Sequence, residues 1–195
     1  SALFGTPLAA AVFAVMVISI GILYHVALVP CLIASLSAYF LAGALGVQPV
    51  RFAVQVPEAS AMTFFQVGFL GILCALVSIL FCMMMHGAEK GMRKILPNAW
   101  LRVLAGAGII IVLTYLCGTN DYNGVGMGVI AAAIEEGKAE PLAFLLKLVF
   151  TSVTLAAGFK GGEIVPSFFV GAAFGCVIAP IIGLPAGFGA AVGLV

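Results

Sequence analysis

Apolar residues run along this chain in blocks of helical-span length, parted by short polar stretches that hold most of its charge. A run of about 20 apolar residues crosses a bilayer as a helix. The first block, Pro7 to about Gly46, is too long for one span. Gly21, Tyr24 and His25 mark a break within it, which predicts helices near 7–20 and 26–46. Pro30 then falls in the first turn of the second helix, where proline is tolerated. A loop with Gln48, Pro49, Arg51, Gln55, Pro57 and Glu58 follows. The next helix is expected from about Ala61 to Ile95, ending in Glu89, Lys90, Arg93 and Lys94 before Pro97. At 1.5 Å per residue it reaches roughly 50 Å, so it must tilt or protrude from the bilayer.

The pattern continues with a helix over about 99–116 and a glycine-dense polar turn, GTNDYNGVGMG. A short helix then runs to Ile134, followed by a solvent-facing EEGKAEP. Another helix covers about 141–157. GFKGGEIVP interrupts the apolar pattern there, and a helix is expected from Pro166 until just before Pro180, with one more after Pro185. Half-length helices at membrane depth are tolerated where backbone lines a cavity or is buried in protein, and in transporters they mark the substrate site.

Composition sharpens this picture. Of 195 residues, 64% are apolar and 8% charged, against about 25% charged in soluble domains. The fold class is therefore an all-α polytopic membrane protein in a lipid bilayer. With a formal net charge of +1 and no basic tract interleaved with aromatics, nucleic acid is not an expected partner. Cys31, Cys74, Cys82, Cys117 and Cys176 sit in apolar runs without a CxxC pair, so they read as inert buried thiols. His25 and His86 read as interfacial histidines rather than a proton relay or metal ligands, and Met83–Met85 as packing rather than a copper site. No hydrolase, Walker or dinucleotide motif stands in its required context. No enzyme activity, cofactor or metal is expected. Because the chain begins at Ser1 and stops at Val195 inside apolar runs, it reads as the middle of a longer protein.

Charge asymmetry sets the expected orientation. The stretch 86–102 carries Lys90, Arg93, Lys94 and Arg102 against Glu89, whereas 47–60 carries Arg51 against Glu58. Positive loops stay inside, so 86–102 should be cytoplasmic and 118–124 external.

Candidate chemistry concentrates in Gly158–Pro166. The glycines let backbone approach an ion closely. A proline opening the last long helix leaves the preceding amides, notably those of Ile164 and Val165, free to point into a cavity. With the positive end of the helix dipole they make an anion site of Gly161, Gly162, Glu163, Ile164 and Val165. Backbone dipoles can bind and release an ion that a fixed lysine can hold too tightly for transport. The alternative is a plain glycine-rich connection. Lys160 and Glu163 argue against it, because ionisable groups at membrane depth are functional candidates, although the two can also pair with each other.

GFKGGEIVPSFFVGAAFG resembles the GxxGGxFxP segment of the CLC family of anion channels and transporters. The spelling GFKGGE and the earlier YNG (Tyr122–Gly124) resemble its fluoride/proton antiporter branch, and FGTPLAAAVF (Phe4–Phe13) resembles the family's FNAPLAGxxF signature. Ile164 stands where chloride-type members usually have phenylalanine, and Val165 offers the ion no hydroxyl. The resemblance implies a CLC-like fold of inverted repeats with broken, tilted helices. It also implies a homodimer with a separate pathway in each subunit, formed partly by the first two helices, in a bacterial plasma membrane. Residues 1–195 would be the central part of one transmembrane domain. Chloride/proton antiporters carry a proton glutamate just after the first signature. Met16 and Val17 occupy that stretch here, in agreement with the fluoride branch. The implied function is fluoride export coupled to inward proton movement, with Glu163 as the proton-coupling candidate. A chloride channel or chloride/proton exchanger, and a non-transporting membrane scaffold, are the alternatives.

Overall fold

The computed structural model describes residues 5–17, 25–47 and 49–195. The expected break at Gly21 and Tyr24, the end of the first helix at 18–20, Phe4 of the first signature and Gln48 lie outside the described residues. The chain divides into two units, Ser1–Phe52 and Ala53–Val195.

In the first unit, α1 (Pro7–Val17) packs against α2 (His25–Ala44). Ser35 Oγ donates to the Pro7 carbonyl at 2.6 Å, which ties the start of α1 to the middle of α2. Because α2 opens at His25, Pro30 lies inside the helix rather than in its first turn. Proline interrupts are tolerated in membrane helices, where neighbouring groups re-satisfy the freed carbonyl.

The second unit opens with an extended stretch that ends at Ser60. Its hydroxyl accepts from the Thr63 amide at 3.1 Å and caps α3 (Ala61–Ile95). Asn98 caps α4 (Ala99–Cys117) through the Trp100 amide, and Gly118, in the left-handed region at φ +67°, ends it. The polar turn leads into α5 (Met127–Ala131). A π-helical turn, Ala132–Glu136, carries the helix past the expected end at Ile134, with Glu135 and Glu136 exposed. After α6 (Ala143–Ala157) comes an irregular segment, then α7 (Ile164–Ile178), a 3-10 turn (Ala179–Ile182) and α8 (Ala186–Leu194).

Among the described residues, four helical stretches are long and apolar enough to cross a membrane: His25–Ala44, Ala61–Ile95, Ala99–Cys117 and Ile164–Ile182. Within the second unit, α6 and α7 are central. Most of α6 is buried, including Leu148, Phe150 and Ala157, and so is Phe169–Cys176 of α7. By contrast α3 fully buries only Leu70 and Phe81, and α4 only Gly106; many of their other apolar side chains are exposed, as on lipid-facing helices. Met84 and Met85 pack beside Phe81, Leu148 and Val170, which is the packing role the sequence suggests.

Close backbone approach joins α7 to α8. A Cβ on Gly171 would overlap the Gly193 carbonyl, and one on Gly175 would overlap that of Gly189. Small residues of this kind let membrane helices gain dispersion contact where no hydrophobic force drives them together.

Candidate anion site

A cavity of about 490 Å³ lies between α4, the 122–125 turn, α6 and the start of α7. Its walls include Tyr122, Gly124, Lys147, Thr151, Gly161 and Val165. The two segments singled out in the sequence, YNG and GFKGGEIVP, thus meet across one space.

The α7 end of this cavity is built from backbone. α7 opens at Ile164, two residues before the expected start, so Pro166 is its third residue. The first four amides of any helix lack intrahelical partners, so proline is tolerated throughout the first turn. Ser167 N–H makes the first helical bond, to the Glu163 carbonyl at 3.1 Å. The amides of Ile164 and Val165 precede it and have no intrahelical acceptor. Of the three motif glycines only Gly158 takes a positive φ, +102°. Gly161 and Gly162 instead line the cavity, and open space stands where a Cβ on Gly162 would lie. The bare backbone there is what lets an ion approach.

The expected site residues divide. Gly161, Gly162 and Val165 line the cavity with Pro166. Ile164 lines none of the main cavities and is half exposed. Glu163 belongs to a second cavity with Met85, His86, Glu89, Leu155 and Ala156. Leu155 lines both spaces, so the 158–166 segment and Leu155 stand between them. Lys160 and Glu163 are both exposed and form no ion pair with each other among the described residues.

Sequence reasoning missed Lys147. Its side chain is 1% exposed, and Nζ donates to the Tyr122 carbonyl at 3.1 Å and the Gly124 carbonyl at 2.6 Å. The ring of Phe169 lies 4.9 Å from the same nitrogen, a cation–π distance. Lys147 therefore pins the YNG turn to α6 and places a cation at the cavity wall. Tyr122 packs beside Phe150 and Phe169. Burial, reinforced by Glu140, Cys117 and Asp121, raises its phenol above the ordinary value and keeps it neutral. The turn is held further by Asn123 Nδ2, which donates to Thr114 Oγ1 at 3.1 Å, and by Gly126 at φ +71°, where a Cβ would meet the Phe169 ring.

The threonine hydroxyls of α6 are engaged along their own helix: Thr151 donates to the Lys147 carbonyl and Thr154 to that of Phe150. The positive groups at the cavity are the Lys147 ammonium and the backbone amide of Val165 at the start of α7. An isolated charge in apolar surroundings is costly unless such groups replace its water.

The family description "Voltage gated chloride channel" matches residues 1–195. A curated relative, "Chloride/fluoride channel protein" of Pseudomonas syringae pv. tomato, is 34% identical over 203 residues, covering 100% of this chain and 44% of the relative. A solved structure, "Crystal structure of a CLC-type fluoride/proton antiporter", matches with a TM-score of 0.90 and 32% identity, over 98% of this chain and 49% of that one. The chain thus spans about half the length of the relatives it matches. The all-helical architecture is a CLC-type fold fragment, and the chain belongs to the voltage gated chloride channel family, a family of membrane anion channels and transporters.

Proposed function

We propose that the protein containing this chain exports fluoride in exchange for protons, using the cavity at the start of α7 as part of its anion pathway. The carrying observation is the start of α7, where the Val165 amide has no intrahelical acceptor, together with Gly161 and Gly162, at a cavity whose other wall holds the Lys147 cation. Fluoride is small and strongly hydrated, so removing its water requires dense, strong donors. The names of the two relatives, a chloride/fluoride channel and a fluoride/proton antiporter, support the substrate class.

Glu163 is the proton carrier in this reading. An ionised carboxylate at the start of α7 competes with an anion for the same positive helix end. Protonation removes that competition and turns the group from acceptor to donor. Proton occupancy and anion occupancy are thereby linked, which is the minimum that coupling requires. Residues 1–195 supply the central part of one transmembrane domain, and the exposed apolar faces of α1 and α2, with Phe13, Ile33 and Phe40, suit a homodimer contact. A bacterial plasma membrane is the expected setting.

The substrate is tested by anion efflux from vesicles holding the full-length protein. Fluoride efflux at least tenfold faster than chloride efflux is expected; equal rates would move the protein to the chloride-conducting alternative. Residues 1–195 alone should give no selective flux. Orientation is tested separately, in a background lacking the native cysteines. A cysteine at Lys94 should react with an impermeant reagent from the cytoplasm and one at Asn120 from outside, and the reverse pattern would invert the pathway.

A further inference from the structure

We propose that the second cavity is a water-filled proton relay in which His86 exchanges protons with Glu163. This rests on Glu163 being the proton carrier. The cavity, about 210 Å³, has room for several waters. α3 brings His86 and Glu89 to it, α6 brings Leu155 and Ala156, and the residue before α7 is Glu163. Polar groups thus stand on two sides of a space walled elsewhere by apolar side chains, the arrangement that orders water rather than excluding it.

The hydrogen bonds select His86 among these groups. Its Nδ1 lies 2.8 Å from the Cys82 carbonyl. A carbonyl only accepts, so Nδ1 carries a hydrogen and Nε2 is left as the exchanging atom. Glu89 is tied to Arg93 by an ion pair of 2.8 Å, whereas neither His86 nor Glu163 has an ion-pair partner among the described residues. Other charged groups on the elements that meet here are Lys90 and Lys94 on the last turns of α3, Lys160 before α7, and Arg102 of α4, whose guanidinium stands beside Gly158, while α6 adds no titratable group at this wall. In one direction the imidazolium releases its Nε2 proton through water to the Glu163 carboxylate, leaving a neutral imidazole and a neutral carboxyl. The reverse transfer restores both. His86 lies on the exposed part of α3, near the stretch expected in the cytoplasm, so its ring can re-equilibrate with solvent.

The test uses the full-length protein in vesicles with His86→Ala, His86→Gln and Glu163→Gln. Both His86 variants should slow fluoride-driven proton movement by about tenfold or more, with fluoride affinity by calorimetry unchanged. Imidazole supplied on the His86 side should restore proton movement to His86→Ala and not to Glu163→Gln. Wild-type proton rates in both His86 variants, beside an uncoupled Glu163→Gln, overturn the relay alone. Intact coupling in Glu163→Gln overturns the carrier role of Glu163 and the relay with it.

Discussion

Glu163→Gln is expected to keep moving fluoride while its proton coupling falls by about tenfold or more. Glutamine keeps a donor of similar size at the start of α7 but cannot exchange a proton. It also removes the negative charge that competes with the anion for the helix end. Fluoride should therefore bind at least as well to this variant and leak without driving protons. Glu163→Ala lacks the donor too and should be slower in fluoride as well as uncoupled. The measurement is paired fluoride and proton flux from vesicles across a range of pH. If both variants keep wild-type coupling, Glu163 is a bystander at the start of α7.

Lys147→Met should be the most damaging single change in the site. The thioether approximates the length of the lysine stem but leaves the carbonyls of Tyr122 and Gly124 without their donor. Tyr122 is buried, and a buried unsatisfied group costs about 1–3 kcal/mol, whereas Gly124 is exposed and its carbonyl can turn to solvent. For a chain of this size that cost lowers the unfolding midpoint by roughly 2–12 °C. The cation at the cavity wall is lost in the same step, so fluoride flux should fall beyond what instability explains. Lys147→Arg, which keeps the charge and has donors enough for both carbonyls, should be milder on both counts. A Lys147→Met protein as stable and active as wild type would remove Lys147 from the site.

How far this site was legible depends on which signals were local. The bounds of α3 follow from sequence because Ser60 caps one end and Pro97 blocks the other, and the structure returns Ala61–Ile95. YNG and GFKGGEIVP each stood out by family resemblance, but their meeting at one cavity had no signal in the sequence, since tertiary packing alone joins them. One proline misleads. Pro30 reads as first-turn, yet it lies inside α2, whereas Pro166 does stand in the first turn of α7. The π turn at Ala132–Glu136 gave no signal, since its residues also suit the end of an ordinary helix. Lys147 did give one. It is the lone cation in the apolar run AFLLKLVF, and the argument that drew attention to Lys160 and Glu163 applies to it with more force. The exposed Lys160 proved the weaker candidate. His86 reads as an interfacial histidine, and its place beside Glu163 at the second cavity has no local signal in the sequence.

The central claim, exchange of fluoride for protons, is met most directly by a gradient experiment. Vesicles holding the full-length protein are loaded with fluoride, diluted into fluoride-free buffer at equal pH, and clamped at zero membrane potential. Fluoride running outward should drive protons inward and acidify the lumen against a growing pH difference, and an equal chloride gradient should do so far more weakly. Fluoride loss with no protein-dependent acidification would contradict the exchange and leave a passive channel.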